Sequence, residues 1–157
     1  MIRRTAVGAA ALLLLALTGC TAESPAPTPS ASTGGSLELA VSTVCAPGVD
    51  PQCVAVGGQN VVVDPAAFTR AGIASAGVVD TGGVEVVDVR FDDEGAAVFQ
   101  RSTREAADAG AEARLLMRAG DELVAATTVM QAMEGDSVQI APGDADAQEI
   151  VDLIRAG

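Results

Sequence analysis

The chain has 157 residues and a formal net charge of −12, from nine basic residues, all of them arginine, against 21 acidic ones. With no histidine, tryptophan or tyrosine, and only Phe68, Phe91 and Phe99 as aromatic side chains, it lacks the usual general base of neutral pH and the stacking platforms that bases and sugars need. The charge also repels phosphate backbones and anionic lipid, so nucleic acid is excluded as a partner.

Residues 1–19 read as a secretory signal. Arg3 and Arg4 form the charged start, and residues 6–17 form an apolar run that ends in Leu17-Thr18-Gly19-Cys20. The run is shorter than the roughly twenty apolar residues of a membrane-spanning helix, and small residues follow it, as at a cleavage site. The ending resembles a lipobox, which implies a diacylglycerol thioether on Cys20 and cleavage just before it. The expected location is therefore the outer face of the cytoplasmic membrane, with the lipid on Cys20 as the membrane contact. Loss of the signal removes two arginines and no acid, so the remaining chain is more acidic still.

Residues 20–35 comprise this cysteine and a run of mostly Thr, Ala, Ser, Pro and Gly. Such a run buries too little apolar surface to order itself, and a Pro-containing tether of this length reaches ~45 Å at ~3 Å per residue. The folded domain is expected over residues 36–157, long enough to bury a core without metal or several disulfides.

Leu37, Leu39 and Val41 alternate with Glu38, Ala40 and Ser42, the pattern of a half-buried strand. Next come Cys45 and Cys53, an even pair once Cys20 carries lipid, separated by a loop containing Pro47, Gly48 and Pro51. In an oxidising compartment a disulfide is the natural reading. A metal site would need more ligands than two thiols, and a redox motif has closer spacing. Residues 60–64 read as a short strand, and residues 65–72 as a brief helical turn capped by Asp64 with Pro65 at its first position. Residues 73–80 and 84–91 flank Thr81-Gly82-Gly83 as a hairpin, with Val87, Val89 and Phe91 turned to the core.

Asp92-Asp93-Glu94-Gly95 opens a helix through Ala109 that Gly110 closes. Phe99, Ser102, Thr103 and Ala106 share the face expected on the sheet, while Arg101, Arg104 and Asp108 meet water. A second hairpin, 113–118 and 122–126, turns at Ala119-Gly120-Asp121. An irregular stretch with Met130 and Met133 follows, and residues 137–140 form the last strand. After Pro142-Gly143, Asp144 is expected to cap a final helix whose stripe is Ala147, Ile150, Val151 and Ile154. The fold class is α+β: a mostly antiparallel sheet of hairpins with two main helices packed on one face, in a single domain.

No catalytic constellation emerges, and neither metal nor cofactor is expected. Asp92, Asp93 and Glu94 lack the longer ligand series of a calcium loop and serve the helix start. Val56-Gly57-Gly58 and Asp80-Thr81-Gly82-Gly83 are turns, since neither precedes a helix with a nearby lysine. Met130 and Met133 are the candidate binding surface, although methionines at this spacing are more often packing residues.

The sequence Phe91-Asp92-Asp93-Glu94-Gly95-Ala96-Ala97-Val98-Phe99-Gln100-Arg101-Ser102-Thr103 has a strand-end Phe, a Glu-Gly turn, a helix Phe and a following Thr. With the strand-turn-strand at 115–124, the strand approach at 135–140 and the ending 147–157, it resembles the head subdomain of the first extracytoplasmic domain of SecD, from about residue 60 onward. Where that family often has Pro after the second strand of the hairpin, this chain has Ala126-Thr127-Thr128. SecD works with SecF as a proton-driven membrane machine whose extracytoplasmic domains engage emerging polypeptide. The resemblance therefore implies a head subdomain mounted on a lipid anchor, a non-enzymatic module that binds secreted or envelope polypeptides. The alternative is a structural or small-ligand-binding envelope lipoprotein.

Overall fold

The structure, a computed structural model, describes residues 34–157. The expected signal, Cys20 and the tether up to residue 33 lie outside the described residues. In chain order the elements are β1 (Ser36–Thr43), β2 (Cys53–Val56), β3 (Gln59–Val62), a 3-10 turn (Pro65–Ala67), β4 (Thr69–Asp80), β5 (Glu85–Phe91), α1 (Asp93–Ala109), β6 (Ala113–Ala119), β7 (Glu122–Thr127), β8 (Ser137–Ile140) and α2 (Ala147–Ala156). Six strands form one curled antiparallel sheet in the order β7-β6-β1-β4-β5-β8, and β2 and β3 form a separate two-stranded ribbon. The fold is α+β, as the alternation and the helical stripes imply.

Both helices share one core with the sheet. Phe99 and Ala106 of α1 and Ile150, Val151 and Ile154 of α2 pack with Leu37, Leu39, Ile73, Val87, Val89, Leu115 and Met117. The period of two places the strand residues on one face, and the period of 3.6 places the helix residues on the stripe that meets it. Phe91 and Phe99 stack within this core with ring centroids 4.8 Å apart.

The opposite face of the sheet is not simply solvated, as the alternation in β1 suggests. Ala40 is buried there with Val61 and Leu116, and Val56, Val63, Phe68, Leu123 and Ala126 pack around them. The β2–β3 ribbon supplies this cover, so the middle of the sheet is buried on both sides. On the same face Arg118 spans Glu38, at 2.7 Å from both guanidinium contacts, and the Phe68 ring, 4.1 Å from its centroid.

Several expected boundaries move, among them the strand expected over 60–64, which is Gln59–Val62. The turn expected over 65–72 is helical only at Pro65–Ala67, where Asp64 accepts from the Ala66 N–H. From Thr69 the chain is already strand, because residues 69–72 pair with β1 in the register Leu39↔Thr69 to Ser36↔Gly72. The second half of β4 pairs with β5 after a register shift between Ile73 and Ser75. Likewise the cap of α2 is Asp146, not Asp144. Residues 142–145 are used by a turn in which the Ala145 N–H bonds to the Pro142 carbonyl, and Asp146 then accepts from the Gln148 and Glu149 amides. The start of α1 agrees with expectation, with Asp92 accepting from the Gly95 N–H at 2.7 Å.

Gly34 and Gly35 already belong to the fold. The Gly34 N–H bonds to the Ile73 carbonyl and the Ile73 N–H to the Gly35 carbonyl, each at 3.0 Å. A Cβ on Gly35 would lie 1.9 Å from the Ile154 carbonyl oxygen, at a φ of +97° that favours glycine.

Candidate functional site: a cleft between the two edges of the sheet

β7 and β8 follow one another in the chain yet occupy opposite edges of the sheet. The curl of the sheet turns both edges toward one open cleft of about 1220 Å³, lined by β7, by Val138, Gln139 and Ile140, and by the segment that joins the two strands. Its floor is core: Phe99, Leu115, Met117 and Ile150. The ribbon turn around Gly57 and Gly58 and the turn at 141–145 close its flanks. Concave, mostly apolar ground with a few polar groups is where proteins bind ligands.

Met130 and Met133 stand at this cleft, with Met130 84% exposed and Met133 42%. They are thus on the surface, not in the core, and Val129 between the strands is the residue that packs inward. Val54, also exposed, lines the cleft from the ribbon. Methionine and valine side chains here present flexible apolar surface to whatever enters.

Helix α1 holds the joining segment in place. The buried Thr103 Oγ1 accepts from the Met133 N–H at 3.1 Å and donates to the Gln100 carbonyl at 3.0 Å. Gln100 Nε2 donates to the carbonyls of Glu134 and Gly135 at 3.1 and 3.4 Å. The Phe99-Gln100-Thr103 run therefore has two tasks, a floor for the cleft and a clamp for its rim. Thr103→Val keeps the shape but leaves the Met133 amide unpaired. We expect a loss of about 1–3 kcal/mol, together with faster hydrogen exchange at residues 133–135, which exchange measurements resolve directly.

The ribbon is tied down by Gln59, whose Oε1 accepts from Arg114 Nε and whose Nε2 donates to the Ala126 carbonyl of β7. Cys45 and Cys53 form a disulfide across its base, with Cα atoms 6.0 Å apart. Closing so short a loop contributes about 2–3 kcal/mol by restricting the unfolded chain. Replacing both cysteines with alanine should lower the thermal midpoint accordingly, and a reductant should then have no further effect.

Among the described residues, no group of three or more His, Cys, Asp or Glu side chains could hold a metal ion. Asp92 is occupied in capping α1. No helix among the described residues is long and apolar enough to cross a membrane. Of the residues named from sequence, Met130 and Met133 are brought together at the cleft, and the cysteine pair lies at the ribbon on its flank. Val54, Gln59, Thr103 and Gln139 join the site without belonging to any catalytic or ligand-binding motif. Only Thr103 left a local signal, a hydroxyl on the buried stripe of α1.

No curated protein matches the sequence. Among solved structures, one described as "Structure and function of a membrane component SecDF that enhances protein export" matches with a TM-score of 0.52 and 20% identity, over 79% of this chain. The chain spans 64% of that structure's length, and at this identity the likeness is one of fold. The family model described as SecDF, P1 head subdomain, matches residues 50–157, beginning about ten residues before the resemblance read from the strands and helices and including Cys53, β2 and β3. The chain belongs to the SecDF P1 head subdomain family.

Proposed function

We propose that this protein is an extracytoplasmic, non-enzymatic module, anchored to the membrane by lipid on Cys20, that binds polypeptide in its cleft and serves protein export or envelope protein handling. The observation that carries the reading is the cleft: both edge strands of the six-stranded sheet face it, and exposed Met130, Met133 and Val54 line it. An unfolded chain offers what this surface accepts, apolar side chains and unpaired main-chain groups. Family membership supports the connection with export, since the related solved structure is a membrane component that enhances it. The absence of histidine from the sequence supports a binding role over acid–base catalysis. A lipid on Cys20 and a tether of this composition would keep the domain in the near-membrane zone.

The test is site-specific photocrosslinking in intact cells. A photoreactive residue at position 130 should give adducts with pulse-labelled exported chains, and one at Arg104, exposed on the outer side of α1, should not. Absence of adducts at 130, or equal adducts at both sites, would overturn the reading.

A further inference from the structure

The two edges that face the cleft differ in what they offer. On the β8 side, the Phe91 N–H donates to the Asp136 carbonyl at 2.8 Å, and the register continues through Val89↔Val138 and Val87↔Ile140. In an antiparallel ladder, alternate residues turn both main-chain groups to the same side. Asp136, Val138 and Ile140 therefore bond to β5, whereas Ser137 and Gln139 turn N–H and C=O away from it. Among the described residues, no strand lies on that side. On the β7 side the outward carbonyl of Ala126 is already taken by Gln59 Nε2, at 2.5 Å. The open template is β8.

The rim of the cleft has one sign. Asp121, Glu122 and Asp144 line it, all exposed, and no arginine among the described residues does. The cleft also offers apolar surface, with Val138, Met130 and Met133 among its lining. An edge with free main-chain groups, an apolar floor and an acidic margin matches an extended chain in which apolar and basic side chains alternate, because successive side chains of a strand point to opposite faces.

We infer that the free edge of β8 takes up an extended polypeptide segment by strand addition, and that Asp121, Glu122 and Asp144 select segments carrying basic side chains. The inference rests on the polypeptide-binding reading above and adds to it a mode and a substrate class. Main-chain bonds to Ser137 and Gln139 give affinity indifferent to sequence, and the floor and rim give preference. The shortness of β8, only Ser137–Ile140, limits edge-to-edge pairing between copies while leaving room for a ligand strand.

The experiment uses the full chain in detergent and fluorescein-labelled peptides of alternating valine and arginine, read by anisotropy. In a strand, the N–H groups of the valines point to one edge and those of the arginines to the other. Methylating the N–H of every valine, or of every arginine, therefore blocks one edge at a time. One methylated peptide should bind at least roughly tenfold more weakly, and the other should bind as the parent does. A valine–glutamate peptide should not bind, and Asp121→Asn with Glu122→Gln and Asp144→Asn should weaken the parent several-fold at low salt. Equal binding of both methylated peptides overturns strand addition, and binding of the acidic peptide overturns the charge preference. If no peptide binds while crosslinks at position 130 persist, strand addition fails and polypeptide capture stands. If the crosslinks are also absent, both fall. Peptide-independent dimerisation through β8 would identify the occupant as a second copy and overturn the proposal.

Discussion

Replacing Gly95 with alanine is expected to destabilise the domain by about 3 kcal/mol or more, at the upper end of what overpacking costs. A Cβ at this position would lie 2.1 Å from the Gly72 carbonyl oxygen and 2.8 Å from the Gly72 nitrogen. Both are main-chain atoms of β4 that cannot rotate away. The same carbonyl accepts from the Asp92 N–H at 3.1 Å, and a Cβ on Gly72 would in turn lie 2.2 Å from Asp92 Oδ2. The Glu-Gly turn thus exists because the first turn of α1 sits on the backbone of β4, and the two glycines make the approach possible. With a urea dependence of about 1–3 kcal/mol per molar, the denaturation midpoint should fall by at least about 1 M. Gly77→Ala is the control: nothing lies within 4 Å of its Cβ, so a change within about 0.5 kcal/mol is expected, as for ordinary surface substitutions. Equal effects at the two positions would refute the close-approach account.

Phe99→Ala should cost about 3–5 kcal/mol, the range for deleting a buried aromatic side chain. Phe99 is fully buried, stacks on Phe91 and forms part of the floor of the cleft. Its loss removes burial, the ring pair and the base on which the joining segment rests. Phe68→Ala should cost clearly less, because Phe68 is only partly buried on the outer face, where Arg118 covers its ring. Chemical denaturation of the two variants side by side decides this. A loss at position 68 equal to that at 99 would place the main core on the wrong face of the sheet.

Local signals carried much of the architecture. Helix α1 was legible from Asp92, its acids, its stripe and Gly110, because each acts within one turn of its neighbours, and the strand β5 from Val87, Val89 and Phe91. The cap of α2 is not legible locally, because Asp144 and Asp146 are chemically equal and only the turn at 142–145 distinguishes them. The start of β4 has no local signal, because Thr69–Gly72 becomes strand through its pairing with β1, a contact some thirty residues distant in sequence. β2 has no local signal either: Val54 and Ala55 are exposed, so burial imposes no alternation on it. The cleft itself was the least legible feature. The chemistry of Met130 and Met133 makes them candidates for a binding surface while their spacing fits packing equally, and their setting follows from β7 and β8 lying at opposite edges of a curled sheet, which no window of sequence contains.

Methionine footprinting of the full chain tests most directly whether polypeptide enters this cleft. Met130 is 84% exposed at the rim, whereas Met117 is 2% exposed on the floor and serves as an internal reference. Peroxide should oxidise Met130 readily in the free protein. Adding a saturating unfolded exported polypeptide should slow sulfoxide formation at Met130 several-fold and at Met133 in parallel, with Met117 unchanged. An unaltered rate at Met130 while the polypeptide is bound would contradict the account.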